Sequence, residues 1–456
     1  MAKKEKALAP SEQVRLSDLT PEGRQATEQI MADFGRRVPE EMGKVAASKR
    51  KSAARARDIG TPKQLSNAQI YESTAKRLEK AIPNAPRDPI TLEGAANRRV
   101  TAVESAATTH RTSDEPIGGA GFYFNSNTEL GGTSPENKNA IITASSVLSQ
   151  GATVRDERSA ALAIHAAHQS NAQVHMHPVL AQSLQEHSGV RVPSHLIGKT
   201  VSVHEIPSDV FAAMADPTHR ALAQTHARGI DFKSISKGAS MDNIRKATDV
   251  IRSPETAGTA QNPLSAAKTS SYTGNIADAI PGTPHHEEYK LRAAHLGAAI
   301  RGEVNGSQQM LDFYGLRHSN EGVLSNAAHT AEDSWMNSLN VGHPDPKVTK
   351  AGGDIKPTAK TSMIDGKKVS AHPSAEVQAP AIYHAFGNAA TSLASQKLQD
   401  KYQTEFTVPN MLTQETAWRG VRAGAGKDSE LNKKLREEKG PKLAKQKKPK
   451  QGELFS

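Results

Sequence analysis

Apolar residues recur at helical spacing along most of the chain and alternate almost nowhere. Between 135 and 170, Ala140, Ile141, Ala144, Val147 and Leu148 mark one helical face. Ser149-Gln150-Gly151-Ala152-Thr153 ends that helix, and a second, from about Asp156, turns Ala160, Leu162, Ala163 and Ala167 inward. Near the start, Thr20 reads as a helix cap with Pro21 at the first helical position. Pro83, Pro86 and Pro89 interrupt the pattern, and Leu92 to Ala107 restarts it. Further helices are expected at about 286–301 and over 375–402, the latter with Val377, Ile382, Tyr383, Phe386, Ala389, Leu393 and Leu398 inward. The last is expected from Met411 to Arg422, capped by Thr407-Val408-Pro409-Asn410. The β-like run 199–203 is too short to imply a sheet, and Asp365-Gly366 reads as a tight turn.

The fold class this predicts is mainly α, an irregular multi-helix body over about 90–423 with long loops and flexible basic ends. Five segments are expected: a basic helical or flexible arm (1–60), a first helical lobe (61–252) and a Ser/Thr/Gly/Pro-rich loop (253–283). A second helical lobe with a hairpin-like turn (284–423) and a disordered basic tail (424–456) complete the chain.

Composition sharpens this picture. Apolar residues make up 36% and aromatics 4%, which predicts a modest core. The net charge of +10 favours a polyanionic partner. With no cysteine, disulfides, iron–sulfur clusters and thiolate zinc sites are excluded. No apolar run is long enough for a membrane span, and the basic start lacks the apolar stretch of a secretory signal. Between Gly35 and Arg57 eight basic residues face two acids, which makes Arg36, Arg37, Lys49, Arg50 and Lys51 candidate phosphate contacts. The tail from Lys427 to Lys450 holds ten basic residues and four acids, with Lys445, Lys447, Lys448 and Lys450 as candidates of the same kind.

Three features bear on chemistry. The glycines at 118–121 are not followed by Gly-Lys-Ser/Thr, so no nucleotide is expected there. His165, His168, His175 and His177 fall close together, yet no carboxylate at helical spacing joins them. His285-His286-Glu287-Glu288 reads the same way, so no metal and no cofactor are expected. In the centre, Asn305-Gly306-Ser307 forms a turn leading into a helix with Met310, Leu311, Phe313 and Tyr314, and its backbone N–H groups suit a phosphate. A second helix opens near Thr330 and carries Asp333.

Two stretches carry a resemblance. Leu148-Ser149-Gln150, with Thr153 after Gly151-Ala152, resembles the Gln-bearing helix end of the helix-hairpin-helix DNA glycosylases. Asn305-Gly306-Ser307 resembles the hairpin of that family, and Asp333 its catalytic aspartate. The resemblance implies that Gln150 enters the minor groove beside an expelled base. It also implies that Asn305, Gly306, Ser307 and Gln308 hold the backbone and that Asp333 is catalytic. Gln308 stands near the position of the lysine of bifunctional members, so a Schiff base is not expected. The chain is also similar to proteins of tailed phages of actinobacteria, which share an Asp-x-Trp element, a tyrosine-bearing helix (here Tyr383) and a terminal Gln-x-x-x-Trp helix (here Gln414 to Trp418). If phage-encoded, it would work at the nucleoid in the host cytoplasm. Finally, 451–455 resembles the pentapeptide that docks on sliding clamps, with Gln451, Leu454 and Phe455 as contacts. The expected function is a DNA-processing, monofunctional glycosylase-like protein tethered to replication. The alternative is a non-enzymatic DNA-binding or virion-associated protein.

Overall fold

The computed structural model describes residues 20–60, 62–113, 133–148, 154–238, 240–253, 284–303, 334–342, 361–364, 367–370, 379–404, 408–426 and 428–439. It also describes Leu16, Glu115, Ile117, Gly118 and Leu130. In chain order the helices are α1 (Pro21–Arg36), α2 (Val38–Ile59), α3 (Pro62–Ala81), α4 (Leu92–Thr109), α5 (Pro135–Leu148) and α6 (Val154–Gln169). Strand β1 (Gln173–His175), α7 (Pro178–Ser188), β2 (Thr200–Ser202), α8 (Ser208–Met214), α9 (Arg220–His226), β3 (Ala227–Arg228), α10 (Phe232–Ile235) and α11 (Met241–Arg252) follow. The rest are α12 (Pro284–Arg301), α13 (Ser334–Val341), β4 (Thr361–Ile364), β5 (Lys367–Ser370), α14 (Ala379–Tyr402), α15 (Asn410–Gly424) and α16 (Ser429–Lys439). The described chain is thus mainly helical, as its apolar spacing predicts.

Two compact units form, and one interrupts the other. The first lies within Tyr123–Thr283, and the second combines Val14–Phe122 with Pro284–Ser456. The sequence suggests consecutive lobes instead, because composition does not show which distant helices pair. α4, expected in the first lobe, packs against α12, α13, α14 and α15 in the second unit.

The caps of the second unit follow from local chemistry. Thr20 Oγ1 accepts from the Gly23 N–H at 3.1 Å, ahead of Pro21, and Thr91 Oγ1 does the same for Gly94 at 3.1 Å. α2 ends on Gly60, whose φ of 72° is left-handed. Within the span expected as an arm, residues of α1 and α2 belong to the core. Met31 and Phe34 of α1 and Val38, Met42 and Ala46 of α2 cluster with Leu78, Ile90, Val341, Phe386 and Ala390. Small residues on α4 bring its neighbours close. A Cβ at Gly420 of α15 would stand 3.1 Å from Ala106 Cβ and 3.2 Å from the Ala102 carbonyl oxygen.

This alanine-rich core is filled by guanidinium groups. Arg99, Arg292 and Arg419 are among its largest fully buried side chains. Arg99 donates from Nε to Thr391 Oγ1 at 2.9 Å, and from Nη1 to Asn340 Oδ1 at 2.8 Å and the Ala95 carbonyl at 3.2 Å. Arg98 donates to the Leu339 and Asn340 carbonyls at 2.5 and 2.7 Å, which lie in the last turn of α13 and lack helical partners. Burial, and then Arg99, lower the Arg98 pKa to about 10, which leaves it charged at neutral pH. α14 consequently buries a polar stripe, Asn388, Thr391 and Ser395, beside Phe386 and Leu398. Ala389 and Leu393, expected inward, are half-buried, because the stripe takes the inner face. Val377 and the side chains of Ile382 and Tyr383 lie outside the described residues.

The tail is the largest departure from expectation. Residues 429–439 form α16, beyond the helix expected to be last. Arg419 holds Asp428 at 2.9 Å and both Glu115 oxygens at 3.0 and 3.1 Å, and Lys434 reaches Glu115 at 3.2 Å. Asp428 Oδ1 accepts from the Leu431 N–H at 2.8 Å, while Leu431 and Leu435 pack on Ala423. This small apolar cluster and the buried ion network offset the ordering entropy that composition alone could not. Lys445 to Phe455 lie outside the described residues.

In the first unit, Ala140, Ile141, Ala144, Val147 and Leu148 are all buried, as expected. On α6 the buried residues are Glu157, Arg158, Ala160, Ala161, Ile164, Ala167 and His168, with Leu162 and Ala163 half-buried. A small sheet does form, in the order β2-β1-β3, antiparallel throughout, with Val174 opposite both Val201 and Ala227. Two further strands pair antiparallel, Ile364 opposite Lys367, while Asp365-Gly366 between them lie outside the described residues. Among the described residues no helix is long and apolar enough to cross a membrane.

Arg419→Met should test the ion network. It removes the guanidinium from Asp428 and leaves Glu115 with Lys434 alone in a buried site, at a cost of about 3–5 kcal/mol. Calorimetry should show a lowered unfolding midpoint, and α16 amides should exchange faster. Pairing it with Glu115→Leu should restore part of the loss. A wild-type midpoint for Arg419→Met would show that the network does not hold α16.

Candidate nucleic-acid interface

Of the expected phosphate-binding cations in described residues, Arg36 ends α1, Arg37 lies between α1 and α2, and Lys49, Arg50 and Lys51 lie on α2, which pairs along its length with α3. Alanine makes the pairing close: Ala53 and Ala56 meet Ala68, with Tyr71 packed beside them. The hairpin from 38 to 81 carries ten basic and five acidic residues. Its charges divide into those that hold the two helices together and those that face solvent.

Arg50 belongs to the first group. Its Nε and Nη2 donate to Glu79 at 2.7 and 2.6 Å, and its Nη1 donates to Glu72 at 2.7 Å. Arg57 joins Glu72 at 3.1 Å. The hydrogen bonds to Glu79 raise the Arg50 pKa, and the bond from Arg57 lowers that of Glu72. Lys49 Nζ lies 5.8 Å from the centre of the Tyr71 ring. Arg36 binds Asp33 at 2.6 Å, and Arg37 Nε approaches the Asp33 carbonyl at 3.4 Å.

Lys51 differs from the other four. It is exposed, and so is Arg55 one turn later, and among the described residues neither has an ion-pair partner. In the sequence Arg55 is one cation of a basic run and does not stand out, since only the fold shows which cations remain free. On α3, Arg77 and Lys80 are exposed in the same way. Like charges four residues apart weaken a helix by a few tenths of a kcal/mol, roughly the inverse of a favourable pair. An anionic partner would remove that cost.

The other expected site residues are not brought into view. Gln150, Asn305, Gly306, Ser307, Gln308 and Asp333 all lie outside the described residues, as do Lys445, Lys447, Lys448, Lys450, Gln451, Leu454 and Phe455. Asp333 immediately precedes α13 in sequence. That helix buries Trp335 and Met336, and Arg98 secures its end.

Of the candidate histidines, His168 has a well-defined packing role, and the side chains of His285 and His286 lie outside the described residues. His168 is buried, its Nδ1–H donating to the Ile164 carbonyl at 2.9 Å and its Nε2 accepting from Arg252 at 2.9 Å. Arg252 also donates to the Val203 and Ile206 carbonyls at 2.7 and 2.8 Å. Burial pushes the His168 pKa down to about 4, with Arg252 adding to the effect. Among the described residues no three His, Asp or Glu side chains are placed to hold a metal ion.

Comparison with known proteins adds no relative: no family model, curated protein or solved structure matches the chain.

Arg50→Ala should loosen the hairpin, with faster amide exchange in α2 and α3, and strong salt should shrink the difference from wild type. Lys51→Ala should leave exchange unchanged. If both substitutions behave alike, the division between holding and outward-facing cations is wrong.

Proposed function

We propose that the protein binds DNA through the outer face of the α2–α3 hairpin. The exposed Lys51 and Arg55, without ion-pair partners among the described residues, carry this reading. Four residues span about 6 Å along a helix axis, which suits cations meeting neighbouring phosphates of one strand. Arg77 and Lys80 extend the positive surface on α3, and the lysines at 445–450 would add contacts from the tail. Such contacts position a protein on nucleic acid without reading sequence.

The proposal includes base processing by a monofunctional, glycosylase-like route. Departure of a base builds positive charge on the sugar, and a carboxylate beside it stabilises that charge and orients water. Asp333 is the proposed carboxylate. Gln150 is proposed to fill the space left by the flipped base, with the turn at 305–308 on the backbone. Gln451, Leu454 and Phe455 are proposed to dock on a sliding clamp.

Duplex binding measured between about 50 and 200 mM salt should show a steep slope, reduced by about 0.9 for each phosphate no longer neutralised. Lys51→Ala with Arg55→Ala should lower the slope accordingly, and an unchanged slope would remove the hairpin from the interface. Asp333→Asn should abolish abasic-site formation while leaving affinity near wild type. Binding without abasic sites in the wild-type protein across modified and unmodified duplexes would favour the non-enzymatic reading.

The clamp proposal has its own test. A pull-down against a bacterial sliding clamp should retain the intact chain and lose it on Leu454→Ala or Phe455→Ala. Retention that ignores both substitutions would reduce the pentapeptide to a chance match.

A further inference from the structure

Three histidine rings from three elements meet at one end of the small sheet. His175 ends β1, His177 directly precedes α7, and His226 ends α9 immediately before β3. The ring centres of His177 and His226 are 4.9 Å apart and the planes lie within 7° of parallel. His175 stands 5.9 Å from His177 and 6.1 Å from His226.

Each ring has a local job that depends on its charge. His177 Nδ1 accepts from the Val179 N–H at 3.2 Å, so it caps α7. That bond needs a bare Nδ1, and a protonated ring has no acceptor to offer. A positive charge there would also oppose the positive end of the helix dipole. His175 Nδ1 meets the Thr200 hydroxyl of β2 at 3.3 Å. The stack of His177 on His226 becomes a contact between like charges once both rings are protonated.

Among the described residues no acid offsets this repulsion. The ionisable groups on the surrounding elements are Lys199 and Arg228 at the strand ends, Glu205 after β2, Asp216 and His219 before α9, Arg220 on α9, Glu186 and His187 on α7, Asp209 at α8, and Asp231 and Lys233 at α10. Glu186 binds Gln182, Asp209 takes the Val210 N–H, and Asp231 binds Ser234. Arg220 donates to Ser236. Burial lowers the basicity of His226, and the charges that add to this are those of His177 and His175.

We infer that His175, His177 and His226 form an acid-sensitive latch. Neutral, the rings hold the start of α7 and the α9–β3 junction against β1. Protonated, they lose the cap, repel one another and let these segments part from the sheet. The sign follows from linkage. Packing in the closed form holds the His226 pKa below its ordinary value, so this contribution to closure is present above that ordinary value, about 6.5, and is lost as pH falls below it. This inference concerns the first unit and does not rest on the DNA-binding proposal.

Hydrogen–deuterium exchange on the full chain, corrected for the intrinsic pH dependence of exchange, tests the latch at about pH 7.5 and about pH 5.5. Peptides covering 173–182 and 224–230 should lose protection on the order of tenfold at the lower pH, while α5 keeps its own. His177→Asn retains a good capping group without a titrating ring, so it should hold most of that protection in acid. His226→Phe, which keeps a flat ring without charge, should do likewise. Equal wild-type protection at both pH values would overturn the proposal. So would an acid loss that persists in both variants, which would assign it to another group.

Discussion

The second unit depends on arginines buried inside an alanine-rich helical packing. Alanine and glycine on α4 and α15 let the helix backbones approach closely, but small side chains leave volume between the axes and polar groups without partners. Arg99 and Arg98 answer both needs. Their stems occupy space that aromatics fill in other cores, and their planar donor forks tie α13 and α14 to α4. Arg419 has the same effect at the far end, where it ties Glu115 and Asp428 to α15. Replacing such groups by apolar ones is often close to neutral in energy, whereas removing one partner is costly. Their main effect is therefore on which helices pair and in what register.

That constraint explains how one unit can interrupt another. Glu115 and Arg419 are 304 residues apart in sequence, and Arg99 and Thr391 are separated by 292. Directional, mutually satisfying interactions of this kind select one partner among many similar helices, which alanine packing alone does poorly. They also turn part of a basic tail into a docked helix.

Charge is used in two ways on the helical hairpin. Arg50 and Arg57 are matched with Glu72 and Glu79 and hold the helices together, while Lys51 and Arg55 are left to solvent. Both kinds contribute equally to the net charge, so only the second kind is informative about a partner. In the first unit the histidines divide similarly. His168 is a neutral, buried connector, and the three rings at the end of the sheet are half-exposed.

The sequence by itself determined the helical class, the cap at Thr20, the break between α5 and α6 and the buried face of α5. These depend on side chains within a few residues of one another, where apolar period and capping chemistry act locally. It also marked the basic run and the histidine group as features needing an account. Only the tertiary structure decided that Arg50 is spent on Glu79 while Lys51 faces solvent, and that Asn388, Thr391 and Ser395 turn inward. The same holds for the pairing of 200–202 into a sheet, the folding of 429–439 onto Glu115, and the meeting of His226 with His177. Each of these rests on a partner far away in sequence, and a buried ion pair or ring stack leaves no periodic trace in a single chain from which the partner could be read.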